Sequence, residues 1–365
     1  MELTKCKLGE LITQRREKND GSDLPICGVS KDGLIPPKQK DADTSIYNVF
    51  YRDDFIFNPA RMELNSIAIN DMYDRAICSS LYEVFYVHRT DLLLPHYLEL
   101  IIRQKWFTRY CEFLGQGSAR EYCRFSNISE IEIEFPPVEE QQKIVDYNTV
   151  IENRIALKQK INDNLLNSVQ AIFRSWFVDY DPFDGVCPSN WETGCVEDIT
   201  EFFDSMRKPL SSLERADMER IYPYYGAVSI VDYVDDYIFD GEYLLVSEDG
   251  IYVVDENGHP LIQHISGKFW ANNHAHILKG KAGFNEDSLY LFLANTNMAP
   301  IVTGAAQPKI NQANLKSFPI TIPDSETMLK FNNIIQPFFD QRLTNESEIK
   351  KLDALQSLLL TRLVD

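Results

Sequence analysis

The sequence predicts an α+β chain of two mainly-β domains, each followed by a long helix. Two observations carry that prediction: one internal repeat and two long amphipathic stretches. Laid over each other without gaps at an offset of 187 residues, Gly117–Lys143 and Gly304–Lys330 match at seven positions: Gly117/Gly304, Ala119/Ala306, Asn127/Asn314, Ile133/Ile320, Pro136/Pro323, Glu139/Glu326 and Lys143/Lys330. An offset far longer than the roughly 20–50 residues of solenoid repeats means that each copy is a domain plus a connector.

The elements follow in order. Upstream of each long helix, YNVFYRDDFIFNP, SSLYEVFYV, VSIVDYVDDYIFDGEYLLVSEDGIYVVDENG and AHILKG are short aromatic and β-branched runs broken by turn residues. These read as strands and hairpins, with Asn257-Gly258 a strong turn signal. Residues 96–113 and 286–296 carry helical periodicity and precede the repeated loop in both halves. Between 139 and 177, Ile144, Tyr147, Ile151, Ile155, Ile161, Leu165, Val169, Ile172 and Trp176 recur at mostly three- and four-residue steps without Pro or Gly. A helix of that length spans roughly 58 Å, too long to be buried in a small domain. The second copy shows Ile334, Phe338, Leu343, Ile349, Leu352, Leu355, Leu359 and Leu363, with Pro337 expected to start or kink its helix. Packing of the two helices is expected on Ile144, Ile151, Ile155, Leu165, Ile172 and Trp176 of the first and Leu343, Leu352, Leu355 and Leu359 of the second. The boundaries that result are a first domain at 1–138, a central helix at 139–178, a linker at 179–190, a second domain at 191–325 and a C-terminal helix at 326–365.

A chain of 365 residues with 44% hydrophobic and 12% aromatic content has material for two ordinary cores. No apolar run reaches the roughly 18 residues of a membrane span, and the N-terminal stretch lacks the apolar core of a signal peptide, so a cytoplasmic protein without membrane contact is expected. Seven cysteines form no C-x-x-C pair, which points to reduced thiols and no zinc site.

The net charge of −19 weighs against a nucleic-acid binder, because phosphate neutralisation needs clustered Lys and Arg. Residues 1–182 carry 22 basic against 28 acidic side chains, net −6, and residues 183–365 carry 14 against 27, net −13. Local basic groups remain: Arg15, Arg16 and Lys18; Lys31, Lys38 and Lys40; Arg103, Lys105 and Arg109. Each also reads as ordinary solvated surface.

Catalytic motifs are missing. There is no phosphate-cradling G-x-x-x-x-G-K-S/T, and Gly115-Gln116-Gly117 follows a helix instead of opening one. Asn58-Pro59 shares two residues with the amide-proline loop of adenine methyltransferases, but Ala60 and Arg61 follow in place of a proline and an aromatic. His274 and His276 would share a face on a strand and could hold a metal, yet no third ligand is evident, so no metal is expected. What remains is recognition. The loop at Gly115–Arg124 carries Gln116, Ser118 and Arg120, and its counterpart at Gly304–Asn311 carries Gln307, Lys309 and Asn311. Arg, Gln and Asn suit bidentate contacts with guanine and adenine edges, and Lys suits phosphates. The same loops also read as ordinary polar loops; taken as a recognition surface, the candidate DNA-binding residues are Arg15, Arg16, Lys31, Arg61, Gln116, Ser118 and Arg120 in the first half, and Arg207, Lys208, Lys268, Asn272, Asn273, His274, Gln307, Lys309 and Asn311 in the second.

Taken together, LGELI at 8–12, SNISEIEIEFPPVEEQQKIV at 126–145, AIFRSWFVDYDPF at 171–183, WANNHAHIL at 270–278 and GAAQPKINQANLKSFPITIPD at 304–324 resemble the specificity subunit of Type I restriction-modification systems. The resemblance implies two target-recognition domains, 1–138 and 191–325, whose helices pack as an antiparallel coiled-coil spacer with pseudo-twofold symmetry. It implies double-stranded DNA as ligand, read as a split asymmetric target. It further implies two methyltransferase (modification) subunits and two restriction (translocase-nuclease) subunits as partners in phage defence. The chain itself would be non-catalytic and would bind no cofactor. Adenine-N6 methylation with S-adenosylmethionine, and ATP-dependent cleavage with magnesium, would belong to the partners. The acidity keeps a second reading in view, an acidic scaffold or DNA mimic that binds restriction-modification subunits.

Overall fold

The offset of 187 read from the sequence recurs in the backbone. The helices Phe125–Ser129 and Gln312–Lys316, the strands Glu132–Phe135 and Pro319–Ile322, and the starts of the long helices at Val138 and Ser325 all lie 187 residues apart. This is a computed structural model, and it describes residues 3–31, 33–37, 43–115, 122–304 and 306–361. Each copy of the repeat closes its domain in the same way. Strand Thr4–Lys7 pairs antiparallel with Glu132–Phe135, setting Thr4 opposite Phe135, while Glu192–Cys195 pairs with Pro319–Ile322, setting Glu192 opposite Ile322. The fold is α+β, two mainly-β domains each followed by a long helix, as the sequence predicts.

The chain divides into two compact units, Met1–Lys158 with Ser347–Asp365, and Gln159–Glu346. Each unit therefore takes part of both long helices, a division that sequence segments alone do not show.

The first unit holds two four-stranded sheets. One runs in the order Ile12–Arg15, Glu83–Val87, Phe55–Phe57, Ile67–Ile69, and the other Gly33–Ile35, Ile26–Ser30, Arg75–Cys78, Asn48–Tyr51. Its core is built on Phe55 and Phe85, stacked at 4.9 Å, with Leu8, Phe57, Tyr97 and Phe107 around them. The helix expected at 96–113 is two helices, Pro95–Ile102 and Lys105–Gly115. The first buries Tyr97, Leu98, Ile101 and Ile102, and the break at Arg103 and Gln104 re-aims the second so that Phe107 and Cys111 enter the same core.

The second unit holds a six-stranded sheet in the order Thr200–Phe202, Ala275–Gly280, Phe239–Ser247, Ile262–Ala271, Tyr222–Tyr225, Ile230–Val234. The strand expected near Ile251–Val254 does not form: only Val254 bridges Pro260, and Ile251 and Tyr252 are exposed. The Asn257-Gly258 turn does form. Asp255 Oδ1 accepts from the backbone N–H groups of Asn257 and His259 at 2.8 Å, and Gly258 sits at φ +84°, where a Cβ would come within 2.3 Å of Asn297 Oδ1. The expected linker is pinned to its unit. The Trp191 ring lies 5.6 Å from Phe177 and 5.3 Å from Phe183, and its Nε1–H donates to Asp324 Oδ2 at 3.2 Å.

The long helices run Val138–Phe177 and Ser325–Thr361. Contrary to expectation, Pro337 neither starts nor ends the second. Asp324 caps its start by accepting from the N–H groups of Glu326 and Thr327, and Met328, Phe331, Ile335 and Phe339 are buried at three- and four-residue steps on either side of the proline. Pro337 itself is exposed, so the carbonyl it leaves unpaired lies on the wetter face. In the first unit Gln356 Nε2 donates to Asn148 Oδ1 at 3.0 Å, and Glu348 takes Lys158 at 3.0 Å together with Arg154. In the second unit Asn345 meets Asn162, and Phe173 meets Phe331 with ring centroids 6.4 Å apart. Within each unit the residue number falls on one helix as it rises on the other, so the helices pair antiparallel.

The seam is more polar than the sequence reading made it. Ile151 is buried, Ile144 packs on the first core, and Ile155, Leu165, Ile172, Trp176, Leu352 and Leu359 are half-buried. Leu343 and Leu355, expected to pack, are exposed at 39% and 51%, whereas Asn148 and Asn345 are buried. Phe173, which fell off the assigned stripe, is buried too. A sparse apolar row lets amide pairs that satisfy each other occupy positions a leucine was expected to fill.

Candidate nucleic-acid interface

In the first unit, Arg15 stands at the end of its strand with its guanidinium engaged. Nε and Nη2 donate to Asp54 at 2.6 and 3.0 Å, and the Tyr51 and Tyr86 rings flank it at 4.7 and 4.6 Å. Burial pushes the Asp54 carboxyl above the usual carboxylate value, against the pull of Arg15. Arg16, next along the chain, is exposed and donates from Nε to Gln14 Oε1 at 2.8 Å. Lys31 and Arg61, 30 residues apart in sequence, line one open cavity of about 1300 Å³ together with Tyr47, Asn58, Leu64 and Tyr82. Asn58 caps the turn that carries Arg61, accepting from Ala60 N–H at 3.1 Å, so its place before Pro59 is explained by the turn. Cations beside aromatic rings in an open groove suit a phosphate backbone or an unstacked base. Gln116, Ser118 and Arg120 lie outside the described residues, as do Lys38 and Lys40.

In the second unit the structure joins residues that the sequence scattered. Arg207 donates to Glu248 Oε2 at 2.6 Å and to the carbonyls of Ala275 and Asn273 at 2.7 and 3.4 Å, and it lies 3.4 Å from Asp204. Lys309 reaches Glu248 from the other side at 3.0 Å, and Gln312 Nε2 donates to Asp204 at 2.7 Å. His276, fully buried, faces Asp204 through Nδ1 at 2.7 Å and the Ile310 carbonyl through Nε2 at 2.8 Å. Both contacts of the ring are therefore to oxygen atoms that accept. Burial works against both carboxylates, but His276 holds Asp204 below its ordinary pKa, and Arg207 and Lys309 do the same for Glu248. This network clamps residues 306–311 onto the sheet, and Lys309 exchanges backbone hydrogen bonds with Thr303 at 2.8 Å.

The two histidines do not share a face. The strand begins at Ala275, so His274 sits in the preceding turn, exposed, with Nδ1 2.6 Å from Asp249 Oδ1. Asp204, Glu248 and His276 approach one another as metal ligands might, but Arg207 and Lys309 already engage Glu248 and Gln312 donates to Asp204. Among the remaining candidates, Asn272 is buried and accepts from His274 N–H at 2.9 Å, and Asn273 is exposed. Asn311 caps Gln312–Lys316 by accepting from Asn314 N–H at 2.8 Å. Lys208 and Lys268 are exposed over Trp270 and Tyr237 at 6.0 and 4.4 Å, and Gln307 is exposed. Sequence reasoning missed Asp204, Glu248 and Gln312. Apart from Arg207, three residues after Asp204, their partners lie between 41 and 108 residues away, and no local pattern marks them.

The fold and this geometry define a duplicated protein in which each domain presents a clamped or cation-lined loop surface and is followed in the chain by a long helix. The chain belongs to the family described as Type I restriction modification DNA specificity domain, which it matches twice, over residues 6–167 and 188–355. A type I restriction enzyme specificity subunit of Methanocaldococcus jannaschii is 24% identical over 299 residues, 75% of this chain and 69% of that one. A putative specificity subunit of Haemophilus influenzae is 38% identical over 128 residues, and the match spans only about a third of each protein, 35% of this chain and 32% of the relative. In fold, the chain is similar to the crystal structure of a Type-I restriction-modification system S subunit from M. genitalium, with a TM-score of 0.60 at 14% identity, covering 100% of this chain and 96% of that one. Among the described residues no helix is long and apolar enough to cross a membrane.

Proposed function

We propose that this chain is the non-catalytic DNA sequence-specificity subunit of a Type I restriction-modification complex. Its two domains read the halves of a split asymmetric duplex target, and the paired long helices act as an antiparallel spacer that fixes the gap. The observation that carries this reading is the double match to one DNA-specificity family, each match ending in a long helix, the second of which begins 187 residues after the first. Exposed Arg16, Lys31, Arg61, Lys208, Lys268 and Gln307 are the proposed contacts, with Arg120, Ser118 and Gln116 on the repeated loop. Arg15, Arg207 and Asn311 hold the reading surface in shape. The net charge of −19 makes much of the phosphate neutralisation the task of partner subunits. Those partners are two methyltransferase and two translocase-nuclease subunits. They supply adenine-N6 methylation and ATP-dependent cleavage, and they bind S-adenosylmethionine, ATP and magnesium.

The test is methylome sequencing of cells expressing the chain with its neighbouring methyltransferase, beside a strain in which residues 1–138 are exchanged for those of another specificity subunit. A split motif that changes in one half only supports the proposal. A motif that changes in both halves overturns the reading of one half by each domain, and no motif at all while the chain still captures the methyltransferase favours the acidic scaffold or DNA mimic.

A further inference from the structure

Two cysteines that no recognition role uses lie together in the core of the first unit. Cys111, on the helix Lys105–Gly115, and Cys123, just before the helix Phe125–Ser129, are 2% and 3% exposed, with their sulfurs 3.9 Å apart. We propose that Cys111 and Cys123 are a redox pair that hydrogen peroxide converts to a disulfide and that thiols restore.

Geometry and chemistry meet at this pair. A disulfide needs the sulfurs at about 2.05 Å, so they must close by roughly 1.9 Å. Cys123 precedes its helix, and its N–H donates to the Pro59 carbonyl at 3.1 Å. The hydrogen bond between the sulfurs lowers the Cys123 pKa and raises that of Cys111, which makes Cys123 the first to become a thiolate. Cys27 and Cys78 provide the contrast. They sit opposite each other on parallel strands, but burial pushes both thiols up, so neither offers a thiolate.

The steps balance. The Cys123 thiolate attacks one peroxide oxygen, the O–O bond breaks, and the departing hydroxide takes a proton from solvent to leave as water. Cys123 is then a sulfenic acid. Cys111 sulfur next attacks Cys123 sulfur; the S–S bond forms, the S–O bond breaks, and the leaving hydroxide carries away the Cys111 proton as water. Two electrons have passed from the sulfurs to the peroxide. A small oxidant is required because the pair is buried, and the nearby second thiol captures the sulfenic acid before it oxidises further. The bond would close a ring over residues 112–122, which carry Gln116, Ser118 and Arg120. That consequence rests on the proposed function, whereas the bond does not.

The experiment exposes the full native chain to hydrogen peroxide, alkylates the remaining thiols after unfolding, and maps non-reduced peptides by mass spectrometry. The expected result is a peptide pair linking Cys111 to Cys123, about 2 Da lighter than the two thiol peptides, with two fewer alkylated cysteines than the seven of the reduced chain, and full reversal by dithiothreitol. In Cys111→Ala the link is lost and Cys123 is trapped by dimedone as a sulfenic acid. Seven alkylated cysteines after peroxide, or a dominant Cys27–Cys78 link, would overturn the proposal. The wild-type map alone decides the matter if the variant does not fold.

Discussion

Asn345 donates from Nδ2 to Asn162 Oδ1 at 2.7 Å, and Asn345 is 1% exposed, so a buried amide contact joins the two long helices within the second unit beside the Phe173–Phe331 ring contact. A buried amide that finds its partner in only one alignment penalises every slip of the helices, as a lone asparagine does in coiled coils. Asn345→Ala strands the Asn162 amide and is expected to cost about 1–3 kcal/mol. Asn162→Leu with Asn345→Leu together is expected to recover the stability. Urea unfolding of the three chains reads this directly, and a double variant as weak as the single one would show that the amides do not act as a pair.

Gln141 and Met328 occupy equivalent positions of the repeat, 187 residues apart, and both are fully buried. Gln141 accepts from Leu94 N–H at 2.9 Å and donates to the carbonyls of Leu92 and Pro136 at 2.7 and 2.8 Å. Gln141→Met imports the residue of the second copy and removes a partner from each of three buried backbone groups. It is expected to lose about 2–4 kcal/mol. A loss below 1 kcal/mol in denaturant titration would mean that the Leu92–Leu94 segment finds other partners.

Asp287 is 2% exposed, its Oδ1 has no hydrogen-bond partner, and burial pushes its pKa up to about 7 from 3.8, with His264 at 3.7 Å pulling the other way and Glu242, Asp340 and Glu286 adding to the rise. The folded state therefore keeps a proton that the unfolded state has released. This group's contribution is full below about 4, falls as pH rises towards 7, and is flat above. Asp287→Asn removes that slope. At pH 8 the variant is expected to exceed the wild type by on the order of 2 kcal/mol, and at pH 4 to match it. Equal wild-type-minus-variant differences at both pH values would refute the linkage.

Arg207 and Lys268 were one class of residue in the sequence and separate in the structure. Arg207 is 13% exposed between Asp204 and Glu248, while Lys268 is exposed over Tyr237. Arg207→Ala leaves two half-buried carboxylates short of a cation and is expected to cost about 3 kcal/mol. Lys268→Ala is expected to shift stability by less than about 0.5 kcal/mol and to lower the salt slope of duplex binding by about 1. Thermal unfolding and binding of a target duplex at several salt concentrations separate the two roles.

Removing four residues from each long helix, 149–152 and 351–354, shortens the helical pair by about 6 Å. If the helices are the spacer, the gap in the methylated motif contracts by about two base pairs at 3.4 Å each, with both half-sites unchanged. An unchanged gap would sink the spacer reading.

The sequence by itself determined whatever is periodic or repeated. The offset of 187, the two long helices, the strand-rich domains and the Asn257-Gly258 turn are all local patterns, because helix and turn chemistry depends on neighbours within a few residues. Tertiary structure decided which polar groups are spent on the fold. Arg15 and Arg207 look like reading residues in sequence, yet Asp54 and Glu248, 39 and 41 residues away, hold their guanidiniums in place. Pro337 looks like a helix boundary, yet burial of Phe331, Ile335 and Phe339 on either side carries the helix through it. Leu343 and Leu355 look like seam residues, yet Asn345 and Asn148 lie buried there. In each case the deciding energy is that of desolvating and pairing a polar group, or of burying an apolar one, against a partner brought close only by folding, and no window of sequence contains that partner.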